Sequence, residues 1–282
     1  MSSTSSSVRK RNKNQHRKQA LVKVSDIASA IEEFAPLPLQ EDYDNAGLQV
    51  GYPDRKVSAV LLCLDVTEEV LAEAKARKCD MIVSHHPLIF HGLKSLTGAD
   101  ETQRLAMAAL AEGIAVYSAH TNLDSAQGGV SHEMAAQLDL TDIRVLHPNA
   151  GNPDTGLGVV GTLRHPAPKL EFLRKVKEKF AVKSLRYSAQ SPGLVVKRVA
   201  LCGGSGASLI REAIAAGADI YVTGDVKYHD FTGYGLDIIL ADIGHYESEL
   251  CSMRIFSRII REKYPDLVVY FSEEQRNPVA VM

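Results

Sequence analysis

The 282-residue sequence contains no tryptophan and only four cysteines, and it lacks features that define several large classes of protein. No apolar run reaches the roughly 18 residues needed to span a bilayer, so we expect no membrane partner. The N-terminus has no apolar segment behind its basic residues and therefore does not resemble a secretory signal. The cysteines form no CxxC pair, and several lie in apolar runs, which predicts buried, reduced thiols in a cytoplasmic protein.

Acidic residues are absent from positions 1–20, which carry six Lys or Arg. The rest of the chain has 26 bases against 34 acids, a net charge of -8. Segment 1–20 is also rich in Ser, Asn and Gln, so we predict a disordered basic tail that cannot bury enough apolar surface to fold. Nucleic-acid binding by this tail is the alternative. The tail lacks aromatic residues for stacking and the acidic body would repel phosphate, so we expect no nucleic-acid partner.

Two catalytic motifs are also missing, the GxxxxGK[ST] phosphate loop and the GxSxG nucleophile elbow. The only glycine-rich stretch that follows a predicted strand is CGGSGAS at 202–208. Such a stretch can hold a phosphate at a helix N-terminus or can simply form a tight turn between strand and helix. The sequence leaves both interpretations open.

A duplication organises what is present. VSAVLLCLD, TEEVLAEAKARKC and DMIVS predict strand, helix and strand, with Thr67 as the helix N-cap, and KRVALCGG, ASLIREAIAAG and DIYVT repeat the pattern. The two units align without a gap at an offset of 139 residues, and eight of the 25 positions from 60 to 84 are identical. Before the first unit, the spacing of apolar residues predicts a helix from Val24 to Phe34, with Ser25 as its N-cap.

The duplication predicts an α/β protein with two lobes of one design, facing each other across one cleft. We place the first lobe at 21–140 and the second at 196–282. A connecting αβ segment at 141–195 supplies a strand, a helix and a strand between them.

Polar clusters follow the predicted parallel strands at their carboxyl ends, where open α/β sheets bind ligands. The clusters are His85-His86, His120 to Asp124, Asp225 to His229 and His245 to Glu249. His245 and Glu249 are four residues apart and share one face if a helix begins there, although a solvated helix start would have the same spacing. Glu247 would point away from that face.

The residue types in these clusters favour two metal ions rather than one. A neutral imidazole offers one lone pair, whereas a carboxylate can bridge two cations. Asp124 and Glu249 fit the bridging role, and the terminal ligands are then His85, His86 and His245. Mixed imidazole and carboxylate ligands suit Zn, Mn, Fe or Co, and the sequence does not choose among them. His120 and His229 are candidates for catalytic proton transfer or for supporting a ligand.

Five motifs together resemble the Nif-three-like family, the GTP cyclohydrolase 1 type 2 homologues. They are DNAGLQVG (44–51), SHHPLIF (84–90), SAHTNLD (118–124), TGDVKYHD (223–230) and GHYESE (244–249). The resemblance spans about 24 to 272 and places the family's metal ligands on the same five residues. It also implies two αβα lobes related by a pseudo-twofold, with the metal site in the cleft between them. It further implies a homohexamer built from dimers, with sites that face the interior.

The sequence supports a metal-dependent hydrolase that acts on a nucleotide-like or other small molecule. Two ions can activate water and polarise an electrophile, and the family's name points to hydrolysis at a purine carbon of GTP. No guanine-reading or triphosphate-binding motif is found, so the substrate stays open. The first alternative is a non-catalytic metal-binding protein for storage, delivery or sensing of divalent ions. The second is an interaction protein with a vestigial site, against which the intact ligand set argues.

Overall fold

The computed structural model describes residues 21–189 and 195–282, so the predicted tail at 1–20 lies outside the described residues. The strands in these ranges are β1 (Gly47–Val50), β2 (Ala59–Cys63), β3 (Met81–Ser84), β4 (Ala115–Ser118), β5 (Thr141–Asn149), β6 (Asn152–Pro168), β7 (Arg186–Tyr187), β8 (Val195–Leu201), β9 (Ile220–Thr223), β10 (Ile239–Asp242) and β11 (Val268–Phe271). The helices are α1 (Val24–Phe34), α2 (Glu68–Ala76), α3 (Glu101–Glu112), α4 (Thr121–Ser125), α5 (Val130–Gln137), α6 (Lys169–Lys179), α7 (Ile210–Ala215), α8 (Tyr228–Tyr234), α9 (His245–Glu249) and α10 (Ser252–Lys263).

Two sheets form the α/β fold that the sequence predicts. The first has the strand order β1-β4-β3-β2-β11, in which only β1 runs antiparallel to its neighbour. The second has the order β5-β6-β8-β9-β10-β7, with a parallel centre of β8, β9 and β10 and antiparallel pairings on both sides. Each sheet therefore has a group of parallel strands whose carboxyl ends lie along one edge.

The register of the strands repeats between the two sheets, as a duplication requires. Val60 pairs with Met81 in the first sheet, and Val199 pairs with Ile220 in the second, both at the offset of 139 residues. A buttressing contact repeats as well. The carboxylate of Asp80 accepts a hydrogen bond from the Ser58 amide at 2.7 Å, and that of Asp219 accepts one from the Lys197 amide at 2.8 Å. Side-chain and backbone geometry thus agree with the two-lobe interpretation.

The parallel strands are buried on both faces, which explains their nearly continuous apolar sequences. Because side chains alternate along a strand, Val60 and Leu62 of β2 face an inner core while Leu61 and Cys63 face an outer one. The inner core is shared by both sheets and includes apolar residues of α1, α5, α6 and α10. Helices α2 and α3 cover the outer face of the first sheet, and α7 and α8 cover that of the second.

Of the two helix caps that the sequence predicts, one differs from the structure and one agrees with it. Helix α1 begins at Val24 with Lys23 as its N-cap, so the prediction of Ser25 is wrong; the Asp26 carboxylate accepts the Lys23 amide at 2.8 Å and completes the helix start. The Thr67 cap of α2 is confirmed, since its hydroxyl accepts the Val70 amide.

Sheet membership does not follow chain order at the lobe boundaries. Strand β11 lies inside the predicted second lobe at 196–282 but pairs in parallel with β2 of the first sheet, from Val268 opposite Ala59. The strands of the segment at 141–195, which are β5, β6 and β7, all belong to the second sheet. The C-terminal part of the chain therefore returns from the second lobe to the first sheet and connects the two lobes.

Among the helices of the described ranges, none is long and apolar enough to cross a membrane.

Candidate metal centre

The five predicted ligands come together where the two sheets present the carboxyl ends of their parallel strands. His85 and His86 directly follow β3, and Asp124 lies on α4, just after β4. His245 and Glu249 lie on α9, which begins at His245, three residues after the end of β10. The side chains form two groups of three whose ligand atoms lie within 4.8 Å of one another. We call these the first trio (His85, Asp124, Glu249) and the second trio (His86, His245, Glu249).

The first trio contains two buried polar atoms that have no hydrogen-bond partner within the described residues, Nε2 of His85 and Oδ1 of Asp124. They lie 3.7 Å apart, and the same Nε2 atom lies 3.7 Å from Oε1 of Glu249. Nδ1 of His85 donates to the Ala119 carbonyl at 2.9 Å, so in the neutral ring Nε2 presents its lone pair to the two acids. Unsatisfied buried polar atoms are costly, and a cation between these three residues would satisfy them together.

The electrostatics of the first trio follow from the same burial. Removal from water raises the pKa of the Asp124 carboxyl to about 7; His85 opposes that rise, and Glu249 adds to it. Two acids in such a place favour a positive charge between them. The donor set therefore fits a divalent ion.

The second trio is tighter. Nε2 of His86 and Nε2 of His245 each lie 2.9 Å from Oε2 of Glu249 and 3.3 Å from each other. Hydrogen bonding to Glu249 raises the pKa of His245 to about 9. Burial lowers the pKa of His86, but hydrogen bonds to Asp65 and Glu249 outweigh it and raise the value to about 10. Glu249 is 3% exposed, and the surrounding histidines hold the pKa of its carboxyl well below its usual range despite burial.

Each histidine of the second trio is oriented by a carboxylate on its other ring nitrogen. Nδ1 of His86 lies 2.7 Å from Asp65, and Nδ1 of His245 lies 2.7 Å from Asp225. Metal-binding histidines usually have such a partner, which fixes the tautomer and leaves Nε2 for the ion. Sequence reasoning noted the cluster that begins at Asp225 but missed Asp65. The position of Asp65 at the end of the VSAVLLCLD run was the signal that could have identified it.

His120 borders both trios. Its ring lies 5.4 Å from that of His85 and 5.5 Å from that of His86, and the three histidines form a further group with metal-ligand spacing. Nδ1 of His120 is 2.8 Å from Asp44, which also accepts the amide and the hydroxyl of Thr121. Burial would raise the pKa of the Asp44 carboxyl, but these hydrogen bonds hold it well below its usual range. Asp44 begins the DNAGLQVG motif, to which the sequence alone assigned no role.

The structure does not bring His229 into either trio. His229 lies on an exposed part of α8, where its ring contacts Tyr228 at a centroid distance of 5.4 Å. Its neighbour in sequence, Asp225, does reach the centre through His245. The predicted catalytic role of His229 therefore has no support from its position.

The glycine-rich segment after β8 packs against the centre. Gly204 has a φ of +61°, and a Cβ atom there would lie 2.1 Å from Oε1 of Glu249. Its amide donates to the Ser248 hydroxyl at 2.9 Å. The close approach of backbone to carboxylate thus explains the glycine at this position and agrees with a tight turn between strand and helix.

The sequence profile of the family Duf34/NIF3 (NGG1p interacting factor 3) matches residues 22–278. The chain belongs to this family. Among its Duf34/NIF3 relatives, the GTP cyclohydrolase 1 type 2 homolog of Lactococcus lactis is 38% identical over 91% of this chain and 98% of its own length. NIF3-like protein 1 of Drosophila melanogaster is 30% identical over 92% of this chain and 89% of its own length. The resemblance found in the motifs is confirmed.

Solved structures of Duf34/NIF3-like proteins share the fold. A Bacillus cereus protein related to NIF3 superposes with a TM-score of 0.84 at 24% identity, and the match covers 94% of this chain and 100% of that protein. At this level of identity, the match supports a shared fold. Reduced HcgD from Methanocaldococcus jannaschii has a TM-score of 0.76 at 27% identity and covers 90% of this chain and 99% of its own.

A cavity of about 860 Å³ opens beside the second trio of this Duf34/NIF3 chain. Its lining includes His86 and His245 at one side and Lys183, Tyr246 and Val279 elsewhere. The acids in its wall are all engaged by histidine, arginine or amide groups. The Asn277 amide that engages Glu247 is neutral and does not cancel its charge. With Lys183 also in the lining, the protein wall of the cavity presents charges of both signs.

Proposed function

We propose that this chain is a two-metal hydrolase that acts on a small, nucleotide-like molecule. The observation that carries the proposal is the pair of unsatisfied buried atoms, Nε2 of His85 and Oδ1 of Asp124, beside a carboxylate that reaches a second cluster of histidines. A structural network would pair such atoms with each other or with neighbouring donors. Here both atoms remain without a partner in the described part of the chain, beside the Glu249 carboxylate, as is expected of a site that takes a cation.

We assign one ion to each trio. Glu249 belongs to both, because Oε1 faces His85 while Oε2 contacts His86 and His245. Asp124 belongs to the first trio only. The sequence offered both acids as bridges. The geometry supports Glu249 in that role, and we assign Asp124 to one ion. Zn, Mn, Fe and Co all suit these donors.

Two divalent ions held here would lower the pKa of a trapped water and polarise an electrophile. The protein's own contribution is to hold the histidines in one tautomer through Asp65, Asp225 and the Ala119 carbonyl. His120 can hold or pass a proton next to the centre, because Asp44 fixes its Nδ1 and its ring faces His85 and His86.

The substrate class follows from the adjoining cavity and from the relatives. The cavity is large enough for a mononucleotide-sized molecule and combines the apolar surface of Tyr246 and Val279 with the cation of Lys183. A small molecule with an anionic group near Lys183 and an aromatic or apolar part suits this lining. The name GTP cyclohydrolase 1 type 2 homolog, carried by the L. lactis relative, is consistent with a nucleotide. Assembly as a homohexamer built from dimers, and a place in the cytoplasm, remain part of this proposal.

Metal content and turnover test the proposal together. The purified chain, loaded with Zn, Mn or Co and freed of excess ion, should hold two ions per chain by elemental analysis, and at most one ion would refute the two-metal assignment. GTP and bis(p-nitrophenyl) phosphate are suitable probes of hydrolysis. Asp124→Ala should abolish any turnover, whereas Glu133→Ala should not, since Glu133 pairs with Arg258 outside both trios. Two ions with no turnover of either probe would favour the storage, delivery or sensing alternative.

A further inference from the structure

Residues 272–277, which we call the C-terminal strap, leave β11 and lie against both lobes beside the metal centre. The strap begins as a continuation of the first sheet, where the Ser272 amide donates to the Leu62 carbonyl at 2.9 Å. The carboxylate of Glu73, on α2, then accepts the Ser272 hydroxyl at 2.5 Å and the Glu273 amide at 3.1 Å. Glu73 is only 8% exposed, so the start of the strap is fixed by a buried anchor.

Gln275 of the strap forms a hydrogen bond with the backbone segment that positions His86. Its Oε1 accepts the amide of Leu64 at 2.8 Å, across 211 positions of sequence. The carbonyl of Leu64 in turn accepts the His86 amide at 2.9 Å, and the next residue, Asp65, holds Nδ1 of His86. His86 is thus held at backbone and side chain by two adjacent residues, and the first of these is held by Gln275.

The same strap reaches the helical side of the second trio. Nε2 of Gln275 lies 3.0 Å from the sulfur of Met253 on α10. Two residues later, the amide group of Asn277 donates to Glu247 at 3.0 Å. Glu247 lies on α9 between His245 and Glu249, so the contact fixes the helix that carries two of the three ligands.

We propose that Gln275 and Asn277 are positioning residues for the second ion, a role that rests on the proposed metal centre. The second trio takes His86 from one lobe and His245 and Glu249 from the other, so its geometry depends on how the lobes sit relative to each other. The strap contacts both sides within three residues. It keeps the distance between the His86 side and α9 constant while the cavity beside them takes up its ligand.

The variant Gln275→Ala tests this role, because it leaves the buried Leu64 amide without its acceptor. We expect about a tenfold lower affinity for the second ion, at the low end of the range for loss of an outer partner of a ligand. The first ion should bind as in the wild type. Gln275→Glu keeps an oxygen opposite the Leu64 amide and should restore most of the affinity. Asn277→Ala should also weaken the second ion, by releasing Glu247.

Competitive titration with a chromophoric chelator measures the two affinities, and the absorption spectrum of the Co²⁺-loaded protein reports the geometry of the centre. Asp100→Ala is the control, since it removes the side-chain cap of α3 and destabilises the first lobe at a helix that does not carry the strap's anchor. A changed Co²⁺ spectrum in Gln275→Ala, with an unchanged spectrum in Asp100→Ala, supports positioning.

Two results would overturn the inference, and they differ. If wild type binds two ions and Gln275→Ala binds them with the same affinities and spectrum, the strap is only structural and the metal centre stands. If the wild type takes up no ion at the second trio, the proposed centre and the strap's role fail together.

Discussion

The clearest consequence of the geometry is that alanine substitutions of Glu249, Asp124 and His245 should remove different numbers of metal ions. Glu249 is shared, so Glu249→Ala removes one of three ligands from each trio. Asp124→Ala removes a ligand only from the first trio, and His245→Ala only from the second. Losing an outer partner of a ligand already costs about 10–100-fold in metal affinity. Losing the ligand itself should therefore exceed about 100-fold, or roughly 2.7 kcal/mol, at each affected ion.

We expect Glu249→Ala to lose both ions in chelator competition, while Asp124→Ala and His245→Ala each retain one ion near wild-type affinity. Glu133→Ala, an acid on α5 outside both trios, should retain two. One ion at wild-type affinity in Glu249→Ala would show that this carboxylate is not the bridge. Loss of both ions in Asp124→Ala would transfer the bridging role to Asp124.

Three further predictions follow from the fold. Deleting 1–20 should leave melting temperature, assembly and metal content unchanged; a clear fall in melting temperature would show that this segment packs on the body. Fragment 21–140 should bind metal poorly in equilibrium dialysis even where circular dichroism shows it folded, because it lacks His245 and Glu249; two ions bound would contradict this. Burial alone would raise the pKa of the Glu73 carboxyl, but hydrogen bonds from the strap lower it below its usual value in the folded protein. The stability that the ionised carboxylate contributes is therefore present above the pKa of the unfolded chain and is lost as the pH falls through the pKa of the folded protein. Glu73→Gln should therefore lower the melting temperature at pH 7 by about 3–6 °C and weaken its fall on acidification, and an unchanged acid limb would contradict the assignment.

Local pattern was sufficient to predict the elements that build the two lobes. The periodic residues from Val24 to Phe34 predicted α1 at both ends, and the apolar runs around β2, β3, β8 and β9 predicted buried parallel strands. The N-cap of α1 was missed because Ser25, a residue type that favours the N-cap position, lies one residue inside the helix. The Asp26 carboxylate instead accepts the Lys23 amide at the start of the helix. The pairing of β11 with β2 was missed because strand pairing across some 200 residues leaves no local signal.

The centre shows the same division. Strand-end clusters and the spacing of His245 and Glu249 indicated residues that the structure does bring together. What the sequence could not supply was relative distance: both acids had the chemistry of a bridge, and only the fold places Glu249 between the trios. The orienting acids Asp44 and Asp65 also lie far in sequence from the histidines that they contact. His229 is a histidine in a polar cluster that follows a parallel strand, so the sequence suggested a site residue, yet its position on α8 leaves it exposed.

The most direct measurement of the central claim is an anomalous difference map from crystals of the Co²⁺- or Zn²⁺-loaded protein, collected at the metal absorption edge. The account predicts two peaks per chain, one within coordination distance of His85, Asp124 and Glu249 and the other of His86, His245 and Glu249. A single peak, or peaks that lie away from Glu249, would contradict it.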